Sequence, residues 1–254
     1  MTRLRAPDRA PGFLDCADGT RLAYRRVKGE APGVVFFGGF RSDMTGTKAV
    51  ALEAACVGWG RAFVRFDYFG HGESGGAFTD GTIGRWREDA LHVLDELTYG
   101  PQVLVGSSMG GWIMLLAALA RPARAHALVG IAAAPDFTHD LMWAEFPEAI
   151  RETLRREGVY LEPSAYDEEP APITMKLIED GRAHLLLGGE IALPCPVRLI
   201  HGMNDPDVPW RHCLKLLERI ESPDAALTLI KNGDHRLSEP DDIARMLRVV
   251  EGVL

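Results

Sequence analysis

Hydrophobic residues along this chain fall into short, nearly unbroken runs separated by stretches in which apolar residues recur every three or four positions. The runs are GVVFFGG (33–39), AFVRFDY (62–68), QVLVGS (102–107), ALVGIAAA (127–134), PVRLIHG (196–202) and ALTLIKNG (226–233). Such dense Val, Ile, Leu and Phe predicts strands buried on both faces. The intervening periodicity predicts helices over 46–56, 82–97, 110–120, 210–220 and 243–250. Strands alternating with helices imply an α/β class with a mostly parallel central sheet flanked by helices.

One segment departs from this rhythm. From Phe137 to Ile191 the text is aromatic, acidic and punctuated by proline, and no strand is predicted. A structureless loop of that length is uncommon in a compact domain. Residues 137–191 are therefore expected to form a small helical cap, inserted between strands, over the C-terminal edge of the sheet. The core is expected to comprise 1–136 and 192–254.

Composition narrows the possible roles. The chain has 254 residues, 46% hydrophobic and 25% charged, which suits a globular domain with a substantial core. A net charge of −8 without a basic stripe argues against a nucleic-acid partner and against an anionic membrane surface. Apolar stretches such as 112–120 are far shorter than the roughly 20 residues that span a bilayer, so no stable membrane insertion is expected. The four cysteines lack Cys-x-x-Cys spacing, so free buried thiols are expected rather than a zinc site or redox pair. The opening MTRLRAPDRAPG is basic without an apolar core, which is not a secretory signal. A cytoplasmic location is the expectation.

The candidate chemistry centres on Gly106-Ser107-Ser108-Met109-Gly110. This G-x-S-x-G pattern lies between a predicted strand and a predicted helix, where a sharp turn lifts a serine above the sheet. The turn demands small residues two before and two after Ser108, and both are glycine. A serine hydroxyl needs a base, and the chain order Ser, Asp or Glu, His for this turn points to His235, just past the last predicted strand. His71 and His201 read as structural. His92, His126 and His212 read as surface or satisfied helix residues, while His139 and His184 could face a substrate pocket. To orient the imidazole, RLIHGMNDPDVPW offers Asp205, favoured because the strand leads into it, and Asp207, which could instead cap the next helix. Asp234 adjoins His235 and is poorly placed to reach its ring.

Two backbone donors are needed for the developing oxyanion. Met109 supplies one and Phe40, in the glycine-rich FFGGFRSD, the other. Arg41, Trp112 and the cap residue Trp143 are candidate substrate contacts, Arg41 for an anionic leaving group and the tryptophans for an apolar acyl chain. The stretch RFDYFGHGESGG (65–76) departs from G-x-G-x-x-G and reads as a turn beneath the site.

In their order along the chain, the serine turn, Asp67 to Ser74 as D-x-x-G-x-G-x-S, HGMNDPDVP and GDH resemble the α/β-hydrolase superfamily. Within it, SDMTGTKA (42–49), RFDYFGHGESGG, YGPQVLVGSSMGGWIMLLAALARP, HGMNDPDVPW and DHR resemble a branch of palmitoyl-protein thioesterases and acyl-glucuronide esterases with mitochondrial and bacterial members. The resemblance implies Ser108, Asp205 and His235 as a triad, a small cap, and acyl esters or thioesters of small molecules or acylated proteins as substrates. The chemistry so read requires neither metal nor organic cofactor. Peptidase or carbon–carbon hydrolase activity, or a silent ligand-binding role, are the alternatives on such a scaffold.

Overall fold

The structure is a computed structural model and describes residues 10–163 and 170–254. Eight strands form the main sheet: β1 (Gly12–Asp15), β2 (Arg21–Val27), β3 (Glu30–Phe37), β4 (Arg61–Phe66), β5 (Gln102–Ser107), β6 (Ala125–Ile131), and, after the insertion, β10 (Val197–Gly202) and β12 (Ala225–Ile230). Their order is β1-β2-β4-β3-β5-β6-β10-β12. β2 runs antiparallel to β1 and β4, and every other pairing in this sheet is parallel.

The six predicted runs coincide with β3, β4, β5, β6, β10 and β12, and each side of the sheet is covered as their composition requires. Along β3, Val35 and Phe37 pack into one core layer and Val34 and Phe36 into the other. The first layer lies under α2 (Ile83–Leu97), α3 (Met109–Ala120) and α6 (Trp210–Arg219). The second lies under α1 (Thr47–Gly58) and α7 (Pro240–Glu251). α3 is buried on nearly every side, which its run of apolar and small residues allows. The one guanidinium taken inside β4, Arg65, is neutralised by Glu53 of α1 and also donates to the Met44 carbonyl.

β1 and β2 are absent from the sequence reading. β1 (GFLD) exposes Phe13 and Asp15 and β2 (RLAYRRV) exposes Arg21 and Arg26, so neither has the unbroken apolar signature, yet Leu22 and Ala23 are wholly buried. The cap expectation also needs amendment. Residues 137–191 contain a π-helical turn at Thr138–Trp143, α4 (Glu148–Glu157) and α5 (Met175–Gly181), but also an antiparallel hairpin of β7 (Val159–Glu162) and β8 (Ala171–Thr174). Its residues 164–169 lie outside the described residues. Pro172 is tolerated because a two-stranded ribbon is all edge. Ile173 is buried with Phe146 and Leu154 in a small hydrophobic cluster within this insertion. A short parallel pair, β9 (Ile191–Ala192) with β11 (Ile220–Glu221), anchors the return to the sheet.

All four cysteines are free; Cys56, Cys195 and Cys213 are buried, and burial pushes the Cys56 and Cys213 thiols up to about 12. No helix among the described residues is long and apolar enough to cross a membrane.

Candidate active site

Ser108 stands at the junction of β5 and α3 with φ 54° and ψ −121°, a conformation side chains rarely adopt. Neighbouring backbone holds it there: its N–H donates to Ile131 O at 2.9 Å and its carbonyl accepts from Ala134 N at 3.1 Å. The flanking glycines are steric necessities. A Cβ at Gly106 would come within 2.4 Å of Gly110 O, and one at Gly110 within 2.1 Å of Phe37 O. Those obstacles are backbone and cannot swing aside. Gly110→Ala is therefore expected to lower unfolding free energy by about 3 kcal/mol, the upper range for overpacking. A shift of the urea midpoint at unchanged slope measures it.

The loops carrying Asp205 and His235 are drawn together by a second close approach. A Cβ at Gly202, the last residue of β10, would meet Gly233 O at 2.3 Å. Asn204 N donates to the same Gly233 carbonyl at 2.9 Å, so the segments leaving β10 and β12 are stitched side by side. His235 Nε2 then lies 3.0 Å from Ser108 Oγ, and His235 Nδ1 lies 2.8 Å from Asp205 Oδ2. Asp205 is further held by the N–H groups of Asp207 (2.9 Å) and Val208 (2.8 Å), which donate to Oδ1. Burial opposes its ionisation. Hydrogen bonds from His201 and His235, the His235 charge and the Val208 amide outweigh that cost and hold the carboxyl below the usual carboxylate range.

His201 and Lys48 contribute in ways the sequence reading does not assign. His201 is wholly buried, and its Nε2 lies 2.8 Å from Val208 O and 3.2 Å from Asp205 Oδ2. Because a carbonyl only accepts, Nε2 carries the proton and also faces the carboxylate. Lys48 of α1 donates to the carbonyl of Arg236, adjacent to His235. The signal for Lys48 was its place in SDMTGTKA; its target could not be read locally.

Gly39 brings the loop after β3 against Ser108, with a Cβ there lying 3.5 Å from Ser108 Cβ. Phe40 follows it, and Met109 is the first residue of α3, where an N–H has no intrahelical acceptor. Asp67 secures this loop from below: Oδ1 accepts from Met44 N at 2.6 Å and Oδ2 from Glu73 N at 2.9 Å. Burial raises its carboxyl to about 6.

The remaining candidates scatter. Trp112 is corrected from a pocket wall to a core residue: it is fully buried, one helical turn past Ser108, and its Nε1 donates to His184 O at 3.1 Å. Trp143 packs against the small cluster of residues 137–191, beneath the guanidiniums of Arg151, Arg155 and Arg182. Arg41 follows Phe40 in a positive-φ conformation. His139 pairs with Asp140 at 2.9 Å. Asp207 does not cap α6, whose N-terminus has no side-chain cap, and Asp234 accepts from Leu237 N at 2.8 Å. Ligand atoms of Asp205, Asp207 and His235 lie within 4.8 Å of one another, but a cation there would have to break the His235–Asp205 bond.

His71 is a buried neutral imidazole. Burial pushes it down to about 4, against the opposing effect of its bond to Phe69 O. Its folded value lies below the unfolded one, so its contribution to stability is present above about pH 6.5 and lost as pH falls through 4. That loss should approach about 3 kcal/mol. Urea unfolding between pH 7 and pH 4 should show the wild-type stability falling toward that of His71→Gln.

A parallel sheet bearing a serine on a strand-to-helix turn, with an imidazole and a carboxylate delivered from later loops, defines a class of hydrolytic enzymes. Residues 34–246 match the model of the alpha/beta hydrolase family. The mouse protein named mitochondrial palmitoyl-protein thioesterase ABHD10 is 43% identical over 95% of this chain and 82% of its own length. A putative hydrolase from Agrobacterium vitis superposes with a TM-score of 0.91 at 42% identity, covering 96% of this chain and 98% of that one. Est1E from Butyrivibrio proteoclasticus, with ferulic acid bound, shares the fold with a TM-score of 0.76 at 22% identity, over 95% and 96% of the two chains. The chain belongs to the alpha/beta hydrolase family and is a hydrolase of that type.

The expectation of a cytoplasmic location is overturned by the same relatives. The mouse, bovine, orang-utan and human proteins, 40–43% identical to this chain, are all named as mitochondrial. That expectation rests on the cysteine pattern and on the opening residues, of which 1–9 lie outside the described residues.

Proposed function

We propose that this protein hydrolyses carboxylic esters or thioesters through an acyl-enzyme on Ser108. The observation that carries the reading is the unbroken relay from Ser108 Oγ to His235 Nε2 and from His235 Nδ1 to Asp205 Oδ2. In the first half-reaction the Ser108 oxygen bonds the acyl carbon while its proton passes to His235 Nε2. The carbonyl oxygen becomes an oxyanion facing the N–H groups of Met109 and Phe40, and Asp205 stabilises the imidazolium. Collapse expels the thiol or alcohol, which takes the proton from His235. Water, deprotonated by the same ring, then releases the acid and restores Ser108.

Residues 137–191 act as the cap of this site, on a core of 1–136 and 192–254. Phe40 supports that role by packing, as Met142 and Trp143 do, against the buried cluster of Phe146, Leu154 and Ile173, and against Phe137 at 5.7 Å. The thioesterase name of the mouse relative favours acylated thiols, of a protein or a small molecule, as the physiological class.

The test combines a fluorophosphonate probe with a panel of p-nitrophenyl esters, acyl thioesters and acyl-glucuronides. Labelling at Ser108, with kcat/KM ranking thioesters or esters above peptides, is the expected result. A protein that resists the probe, or whose Ser108→Ala variant labels equally, would return the silent ligand-binding alternative.

A further inference from the structure

The glycine-rich turn at 70–76 holds one side chain that the proposed reaction leaves unused. His71 is only 4% exposed, beneath the loop that carries Phe40. Its Nδ1 lies 3.1 Å from Phe69 O, and because a carbonyl only accepts, Nδ1 bears the proton. Nε2 is left with a lone pair, and the backbone N–H of Arg41 donates to it at 3.3 Å.

That bond falls at a telling place. Arg41 has φ 57°, in the left-handed region that residues other than glycine seldom occupy. Its N–H belongs to the peptide unit shared with Phe40, immediately after the amide assigned to the oxyanion. A fixed acceptor on this N–H therefore sets the orientation of the loop where the preceding N–H must point at substrate. The side chain of Phe40 is referenced to the same ring. His71 packs against Phe78 and Trp86, with centroids at 5.1 and 5.2 Å. Phe78 and Trp86 in turn pack against Phe40, at 5.1 and 6.0 Å.

We propose that His71 is a positioning residue for oxyanion binding: its unprotonated Nε2 holds the Phe40–Arg41 peptide so that the Phe40 N–H faces the developing charge. The proposal rests on the acyl-enzyme reading. It assigns the imidazole a role that an aromatic plug of the same size cannot fill, since a hydrocarbon ring packs equally well but accepts no N–H.

His71→Phe keeps a packed ring and removes the acceptor, whereas His71→Gln returns a carbonyl oxygen to the neighbourhood of Nε2. Both are measured as full chains on p-nitrophenyl butyrate, per active site titrated with fluorophosphonate, so that misfolded protein does not count. Phenylboronic acid supplies a second readout. Ser108 Oγ bonds its boron, the serine proton passes to His235, and the tetrahedral adduct places an oxygen in the oxyanion position.

His71→Phe should lower kcat by roughly 30- to 100-fold with KM within about twofold, short of the full loss of one oxyanion donor. Boronate affinity should weaken by a comparable factor, and His71→Gln should recover about tenfold of the loss in kcat. A kcat unchanged per titrated site overturns the proposal, as does a change confined to KM or a Gln variant as impaired as Phe. If His71→Phe does not fold, His71→Met carries the same comparison. A wild-type protein inactive on every ester and thioester would sink the acyl-enzyme reading and this proposal with it. An active wild type with an unimpaired His71→Phe sinks this proposal alone.

Discussion

Ser108→Ala should lower kcat/KM for a p-nitrophenyl ester by roughly 10⁴- to 10⁶-fold, the range seen when the nucleophile of a serine triad is removed. The substitution takes away one oxygen and leaves the turn otherwise intact. Gly106 and Gly110 still admit the close backbone contacts, and the Ile131 carbonyl and the Ala134 N–H bond the Ser108 backbone rather than its hydroxyl. His235 Nε2 loses its 3.0 Å partner, but it lies at the rim of the site where water can replace the hydroxyl. The thermal unfolding midpoint should therefore stay close to wild type while turnover collapses. A residual rate within tenfold of wild type would remove Ser108 from the reaction.

Asp205→Asn should cost nearly as much, roughly 10³- to 10⁴-fold in kcat, by a different route. An asparagine can keep its oxygen toward the amides of Asp207 and Val208, which fixes the side-chain orientation. Its NH₂ then faces His235 Nδ1. An NH₂ donates, so the favoured tautomer moves the imidazole proton to Nε2, where it points at Ser108 Oγ and cannot accept the serine proton. His201 is spared a buried orphan because its Nε2 proton retains the Val208 carbonyl at 2.8 Å. Folded protein with KM near wild type and a much reduced kcat is the expected signature. If kcat fell less than tenfold, Asp205 would not be the group that orients His235. The depressed carboxyl adds a stability effect of the same sign as that of His71, but in a more acid window. Its contribution is present above the ordinary carboxylate range and lost only in strong acid, so the Asn variant should approach wild-type stability there.

Legibility in the sequence followed the range of the forces involved. The turn at Ser108 is a local problem, since its glycines answer contacts within a few residues of Ser108 and with the adjoining β3. His235 and Asp205 could be nominated because each follows a strand, and strand ends in a parallel sheet open onto one edge. Trp112 misled for a geometric reason: proximity in sequence to Ser108 suggested the site, whereas one turn along α3 points it into the core. β1 and β2 escaped because a four-residue antiparallel edge and a partner strand with arginines outward have no continuous apolar run. The β7–β8 hairpin escaped because four residues on each side of an acidic, proline-rich connection give periodicity too little length. His201, a buried second donor to Asp205, was a known histidine without a visible partner until the loop after β10 folded back on it.

By itself, the order of residues determined the alternation of buried strands with helices, the small residues around Ser108 and the short roster of groups able to act with it. Burial periodicity and backbone sterics are local, and they are written in neighbouring side chains. Only the tertiary structure decided which histidine and which aspartate meet the serine, since the contacts join positions 127 and 30 residues apart. It also decided that His71 and His201 stand behind the loops that hold them. Such meetings depend on strand order and on the touching of glycines at 202 and 233 across the sheet edge, and no local pattern specifies either.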